Sequence, residues 1–121
     1  MDDISRKYKY DWGMDATIDV IGGKWKPLII YELNEETLRF SELLGRLQPK
    51  ITQRMLTKQL RQLEADGLIT RKVYTQVPPK VEYSLTETGK SLLPILDLLC
   101  KWGYEHMDDR IKYKCEEDEK R

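Results

Sequence analysis

The segment Ile51–Asp66, ITQRMLTKQLRQLEAD, restricts the possible folds more than any other part of the chain. Its Leu56, Leu60 and Leu63 recur at i, i+4 and i+7, the spacing that lays one face of an α-helix on a core. Thr52 suits the cap of this helix and Gly67 its end, because glycine adopts the left-handed conformation that closes a helix at little cost. The opposite face carries Arg54, Thr57, Lys58 and Arg61 at i, i+3, i+4 and i+7, with Gln53 beside them in the first turn. Arginine and glutamine offer paired groups that match guanine and adenine edges, while lysine and threonine suit phosphates or base edges. A solvated helix face produces the same stripe, so the neighbours of this helix decide between the two readings.

Upstream, Met14, Ile18 and Ile21 recur at helical spacing and stop at Gly22-Gly23, which predicts a short first helix. A second helix is expected from near Trp25, with Pro27 in its first turn, burying Leu28, Ile29 and Leu33 and stopping around Asn34. Leu38-Arg39-Phe40 is a brief extended stretch. Ser41 is expected to cap a short helix with Leu43, Leu44 and Leu47 inside, and Pro49 blocks its continuation. Two helices joined by a turn of a few residues, the second carrying the basic stripe, make a helix-turn-helix over 41–66.

Downstream, Leu68–Thr75 and Lys80–Leu85 read as strands joined by Gln76-Val77-Pro78-Pro79, a hairpin over 68–85 in the place of the wing of a winged helix. Gln76 and Lys80 stand where a wing tip would meet DNA, flanked by Arg71 and Lys72. Thr86 then starts a last helical stretch over 86–113, in which Gly89 weakens the first turn and Pro94 implies a kink or two segments meeting there. Leu92, Ile95, Leu96, Leu99 and Trp102, with Cys100 among them, leave hardly any polar face. One small domain covers only one side of such a helix, so a second copy of the chain is the expected cover.

The whole chain of 121 residues suits one domain, with an arm over 1–11 and a solvated tail over 114–121. Its formal net charge is zero, but the distribution is uneven. Between Arg46 and Lys80 the only acids are Glu64 and Asp66, against Arg46, Lys50, Arg54, Lys58, Arg61, Arg71, Lys72 and Lys80. That basic middle is what local phosphate binding requires. No secretory pattern opens the sequence, and no apolar run approaches the roughly 20 residues that span a bilayer, so a cytoplasmic protein without membrane contact is expected. Cys100 and Cys115 are too few and too far apart for a disulfide framework.

Four stretches in order, IDVIGGKW from Ile18, RFSEL from Arg39, LTKQLRQLEADGLI from Leu56 and VPPKVEYSLTETG from Val77, resemble the HxlR family of bacterial winged helix-turn-helix regulators. The resemblance runs from about Trp12 to Met107. It implies a mainly α fold with a small β-hairpin, a cytoplasmic transcription regulator, dimerisation through N- and C-terminal helices, and a palindromic operator. Thr52 to Arg61 match the family's recognition helix and Val77 to Lys80 its wing, while dimerisation through both ends adds Trp12, Met14 and Ile18 to the interface. Many members carry a cysteine shortly before the first helix, which in the redox-responsive ones is the sensor. Trp12 occupies that position here, and an indole forms neither thiolate nor disulfide. Cys100, among apolar neighbours, reads as a small buried hydrophobe, and Cys115 lies beside acids that oppose a lowered thiol pKa.

The residues argue against an enzyme, since His106 is the only histidine and no nucleophile motif or phosphate-binding glycine loop is present. No metal or cofactor is expected. Double-stranded DNA and a second copy of the chain are the expected partners. Two alternatives remain open: a winged helix that binds another protein, and a regulator with a small-molecule pocket at the dimer helices, near Trp12, Trp25 and Trp102, whose effector the residues do not name. A protein-binding module has no need of the arginine and lysine stripe, which favours DNA.

Overall fold

A computed structural model describes residues 7–34 and 36–112. The elements in chain order are α1 (Gly13–Ile21), α2 (Trp25–Glu32), β1 (Leu38–Arg39), α3 (Phe40–Leu47) and α4 (Gln53–Ala65). They are followed by β2 (Ile69–Tyr74), β3 (Lys80–Leu85), α5 (Glu87–Ser91), α6 (Leu93–Met107) and a 3-10 turn at Asp108–Arg110. Cys115, the tail over 114–121 and the first half of the arm lie outside the described residues.

The boundaries of α4 follow from its caps. The Thr52 hydroxyl accepts a hydrogen bond from Met55 N at 3.1 Å, satisfying one of the amides that a helix start leaves open. At the other end Gly67 has φ +78°, Gly67 N donates to Glu64 O at 3.0 Å and Leu68 N to Leu63 O at 2.9 Å. This paired closure lets the chain reverse and puts Leu68 and Leu63 together in the core. Leu56, Leu60 and Leu63 are all buried, against Ile29, Ile30 and Leu33 from the region of α2, Leu43 from α3 and Ile69, Tyr83 and Leu85 from the sheet.

Two local expectations change, and a third gains a partner. In α2 the buried residues are Lys26, Ile29 and Ile30, while Leu28 is turned outward. Helix α3 begins one residue earlier than its expected Ser41 cap, because the Arg39 amide donates to the Glu42 carboxylate at 2.8 Å and Ser41 lies inside the helix. The brief stretch Leu38–Arg39 is a third strand, paired antiparallel with β3 through Leu38↔Tyr83 and Arg39↔Glu82, so the sheet order is β1-β3-β2.

The hairpin pairs from Ile69↔Leu85 to Tyr74↔Lys80. Beyond it, Thr86 fastens three parts of the fold. Its hydroxyl accepts from Gly89 N at 3.0 Å and donates to Gly67 O at 2.7 Å, and its amide donates to Leu68 O at 3.0 Å. The last helical stretch is two segments, with Pro94 in the first turn of α6, where its missing N–H costs nothing. The α-helix ends at Met107, short of residue 113. Helix α6 docks on α2 through Leu96, which is 3% exposed, and through the Tyr31 hydroxyl, which donates to the Asp97 carboxylate at 2.9 Å. Among the described residues no helix is long and apolar enough to cross a membrane.

Candidate nucleic-acid interface

Because one face of α4 is fixed in the core by its three leucines, the other must point outward. Gln53, Arg54, Lys58 and Arg61 are exposed along it, and Thr57 is half-buried. No described carboxylate pairs with Arg54, Lys58 or Arg61. Three cations on successive turns of one helix, with no described carboxylate against them, make a surface suited to an anionic partner. The Thr57 hydroxyl donates to Gln53 O at 2.9 Å, so its proton is used within the helix and its methyl group is the part available to a partner. Thr52 accepts from Met55 N through its oxygen and keeps its own proton free to donate.

A cleft runs between α4 and the sheet, lined by Phe40, Thr57, Leu60, Arg61, Glu64, Arg71 and Tyr83. Arg71 of β2 and Arg61 of α4 both line it, together with Glu64, a grouping that strand reading alone left undefined. The signal was present in the alternation of the hairpin, since Arg71 lies opposite Tyr83 across the strands. Phe40, half-buried between core and cleft, was missed because it starts a helix that was expected to begin later.

The wing places its cations differently. The Lys80 ammonium is 3.4 Å from the Glu82 carboxylate and 4.7 Å from the centre of the Tyr74 ring, and Lys72 lies 4.9 Å from the same ring. The Tyr74 hydroxyl and the Lys80 ammonium hold the Glu82 carboxyl below the usual carboxylate range. Lys80 is therefore half-buried and drawn back along the hairpin, while Gln76 is exposed at the tip with Val77, which is 99% exposed.

Exposed apolar side chains also lie on α1 and on α6. Trp12, Met14 and Ile18 are exposed before and along α1, and Ile95, Leu98, Leu99 and Trp102 along α6. Leu96, grouped with these by sequence, belongs to the core of its own chain, and Leu92 is half-buried against that core. Leu98, exposed on the same helix, joins the outer face. Cys100 is exposed instead of buried. Trp102 stacks on His106 at 4.6 Å between ring centres, and Trp25 is packed against the core under the Lys24 ammonium.

A family model described as HxlR-like helix-turn-helix matches residues 20–111. The uncharacterized HTH-type transcriptional regulator YtcD of Bacillus subtilis (strain 168) is 59% identical over 102 residues, spanning 84% of this chain and 80% of that protein. A crystal structure of an HTH-type transcriptional regulator ytcD superimposes with a TM-score of 0.74 at 58% identity, covering 80% of this chain and 98% of that one. The redoxregulator HypR in its reduced form has a TM-score of 0.74 at 54% identity, covering 80% of this chain and 95% of that one.

Proposed function

The chain belongs to the HxlR-like helix-turn-helix family of transcription regulators, and from that premise we propose that it reads a palindromic operator as a cytoplasmic homodimer, with one α4 in the major groove of each half-site. The cations of α4, unpaired among the described residues and bordering a cleft that Arg71 of β2 also lines, carry this reading. In it Arg54 and Arg61 contact bases or the adjacent phosphates, Gln53 meets base edges, and the Thr57 methyl packs on a thymine methyl. Thr52 and Lys58 hold the phosphate backbone, which sets register without reading sequence. Gln76 and Lys80 flank the DNA from the wing, Lys80 with its charge already shared with Glu82.

Dimerisation rests on the apolar face of Trp12, Met14, Ile18, Ile95, Leu99 and Trp102, which a protein of this size does not leave to water. A two-fold pair would separate the two α4 helices by about one DNA turn, roughly 34 Å. The protein is read as a regulator without catalysis. The redox role named for HypR is not carried over, since Trp12 stands at the family's usual cysteine position.

The test is binding of the purified protein to the DNA upstream of its own gene and to a scrambled duplex, over a salt series. Selective binding that weakens steeply with salt is expected. Arg54→Ala or Arg61→Ala should each cost about 1–3 kcal/mol on the selected site, whereas Lys58→Ala should weaken every duplex alike and lower the salt slope by about 1. Equal binding by parent and all three variants would refute the assignment.

A further inference from the structure

The wing tip is chemically unlike the helix it accompanies. From Thr75 to Pro79 the chain carries no charge, and at its centre Val77 is 99% exposed, a large aliphatic side chain that no part of the core holds. The two lysines nearest the tip do not extend it. Lys72 and Lys80 both lie on the Tyr74 ring, at 4.9 and 4.7 Å, and Lys80 is also paired with Glu82. A wing built to grip phosphates would hold its ammonium groups outward; here Lys80 is drawn back to Glu82 and Lys72 is held on the Tyr74 ring, and the tip itself is an apolar point.

We propose that this point is a wedge: Val77, backed by Pro78 and Pro79, enters the minor groove beside the half-site and packs between sugar walls and base edges. The inference rests on the DNA-binding reading above. The geometry supports it in two ways. Ladder pairing continues to Tyr74↔Lys80, so the tip is presented on a stiff base, and the two prolines restrict the backbone behind Val77. From Arg71 beside α4 to Tyr74 the strand covers about 10 Å at roughly 3.3 Å per residue, with the tip beyond it. The minor groove next to an occupied major groove lies about half a turn away, roughly 17 Å.

An apolar wedge has consequences that a lysine contact lacks. It displaces no counterions, so its contribution does not fade with salt. It partly unstacks a base step, so it favours flexible pyrimidine–purine steps under the wing and bends the duplex there.

The experiment uses the full chain. A duplex is first selected by the parent from a random pool, and affinity is then measured over a salt series for the parent, Val77→Ala, Val77→Lys and Arg54→Ala, with the bend read by energy transfer between the duplex ends. Val77→Ala deletes two carbons from an exposed side chain and leaves folding untouched, which thermal melting checks. The expected result is a loss of about tenfold in affinity at every salt concentration, with the slope unchanged and a smaller bend. Val77→Lys should steepen the slope by about 1 and shift the preferred step. If Arg54→Ala abolishes selection while Val77→Ala matches the parent in affinity and bend, the wedge is wrong and the DNA reading stands. A Val77→Ala loss that disappears at high salt also overturns the wedge. A parent that selects no sequence overturns the DNA reading and the wedge with it.

Discussion

Gly89 is buried where a methyl group on its Cα would stand 2.1 Å from the Leu68 carbonyl oxygen and 3.2 Å from a Leu85 methyl. In sequence it looked like a weak point of a helical first turn, a place where alanine stabilises by roughly 0.5–1 kcal/mol. The contact reverses that sign. Gly89→Ala is expected to destabilise by about 1–3 kcal/mol, because the obstacle is backbone that Thr86 already pins to Leu68. Urea unfolding decides between the two signs, and a stabilised variant would show that α5 moves away freely. Lys26 is a comparable case, only 8% exposed, its ammonium donating to Asp19 O at 3.4 Å near the end of α1. A cation there answers the carbonyls that a helix C-terminus leaves open. Nothing in GGKWKP distinguishes this lysine from its exposed neighbour Lys24, since burial depends on how α2 meets α1.

Arg46, at the end of α3, holds Glu36 in a two-pronged ion pair at 2.8 and 3.3 Å and reaches Glu32 at 3.4 Å, tying α3 to α2 and to the segment before β1. The guanidinium lowers the Glu36 carboxyl below its ordinary 4.5. A carboxyl whose folded pKa is depressed adds stability above its unfolded value and loses it as pH falls through the folded one. Stability of the parent should therefore fall as pH drops below 4.5, and less steeply in Arg46→Met. Some slope must remain in that variant, because the Tyr10 hydroxyl also lowers Asp19. Denaturant titrations of both proteins from neutral to acid pH test this; parallel curves would mean that the exposed pair is screened away. Among the elements, α4 was legible almost residue by residue, since its caps and its leucine spacing are local. The start of α3 was not, because the Glu42 carboxylate captures the Arg39 amide where a serine cap also looked adequate.

Two sets of exposed residues, those of α4 and the wing and the apolar ones of α1 and α6, divide the molecule between DNA and a second copy in the proposed reading. Because the apolar residues of α1 and α6 are not on α4, the assembly is testable without touching that helix. Leu99→Asp or Trp102→Asp should yield a folded monomer by light scattering, whereas Leu96→Ala should lose about 2–5 kcal/mol of stability, since it empties the chain's own core. Folded dimers in both aspartate variants would remove this face from the interface. The family, the order of elements and the cation stripe could all be read from the chain, because turn residues and periodicities are short-range features that survive in any context. Four things depended on contacts between distant segments: the pairing of Leu38–Arg39 with β3, the retreat of Lys80 from the wing tip, the packing of Gly89 on Leu68, and the division of α6 between Leu96 inside and Leu99 outside. A run of apolar residues states that a helix will be covered, but which neighbour covers each side is set only when the whole chain has closed around one core.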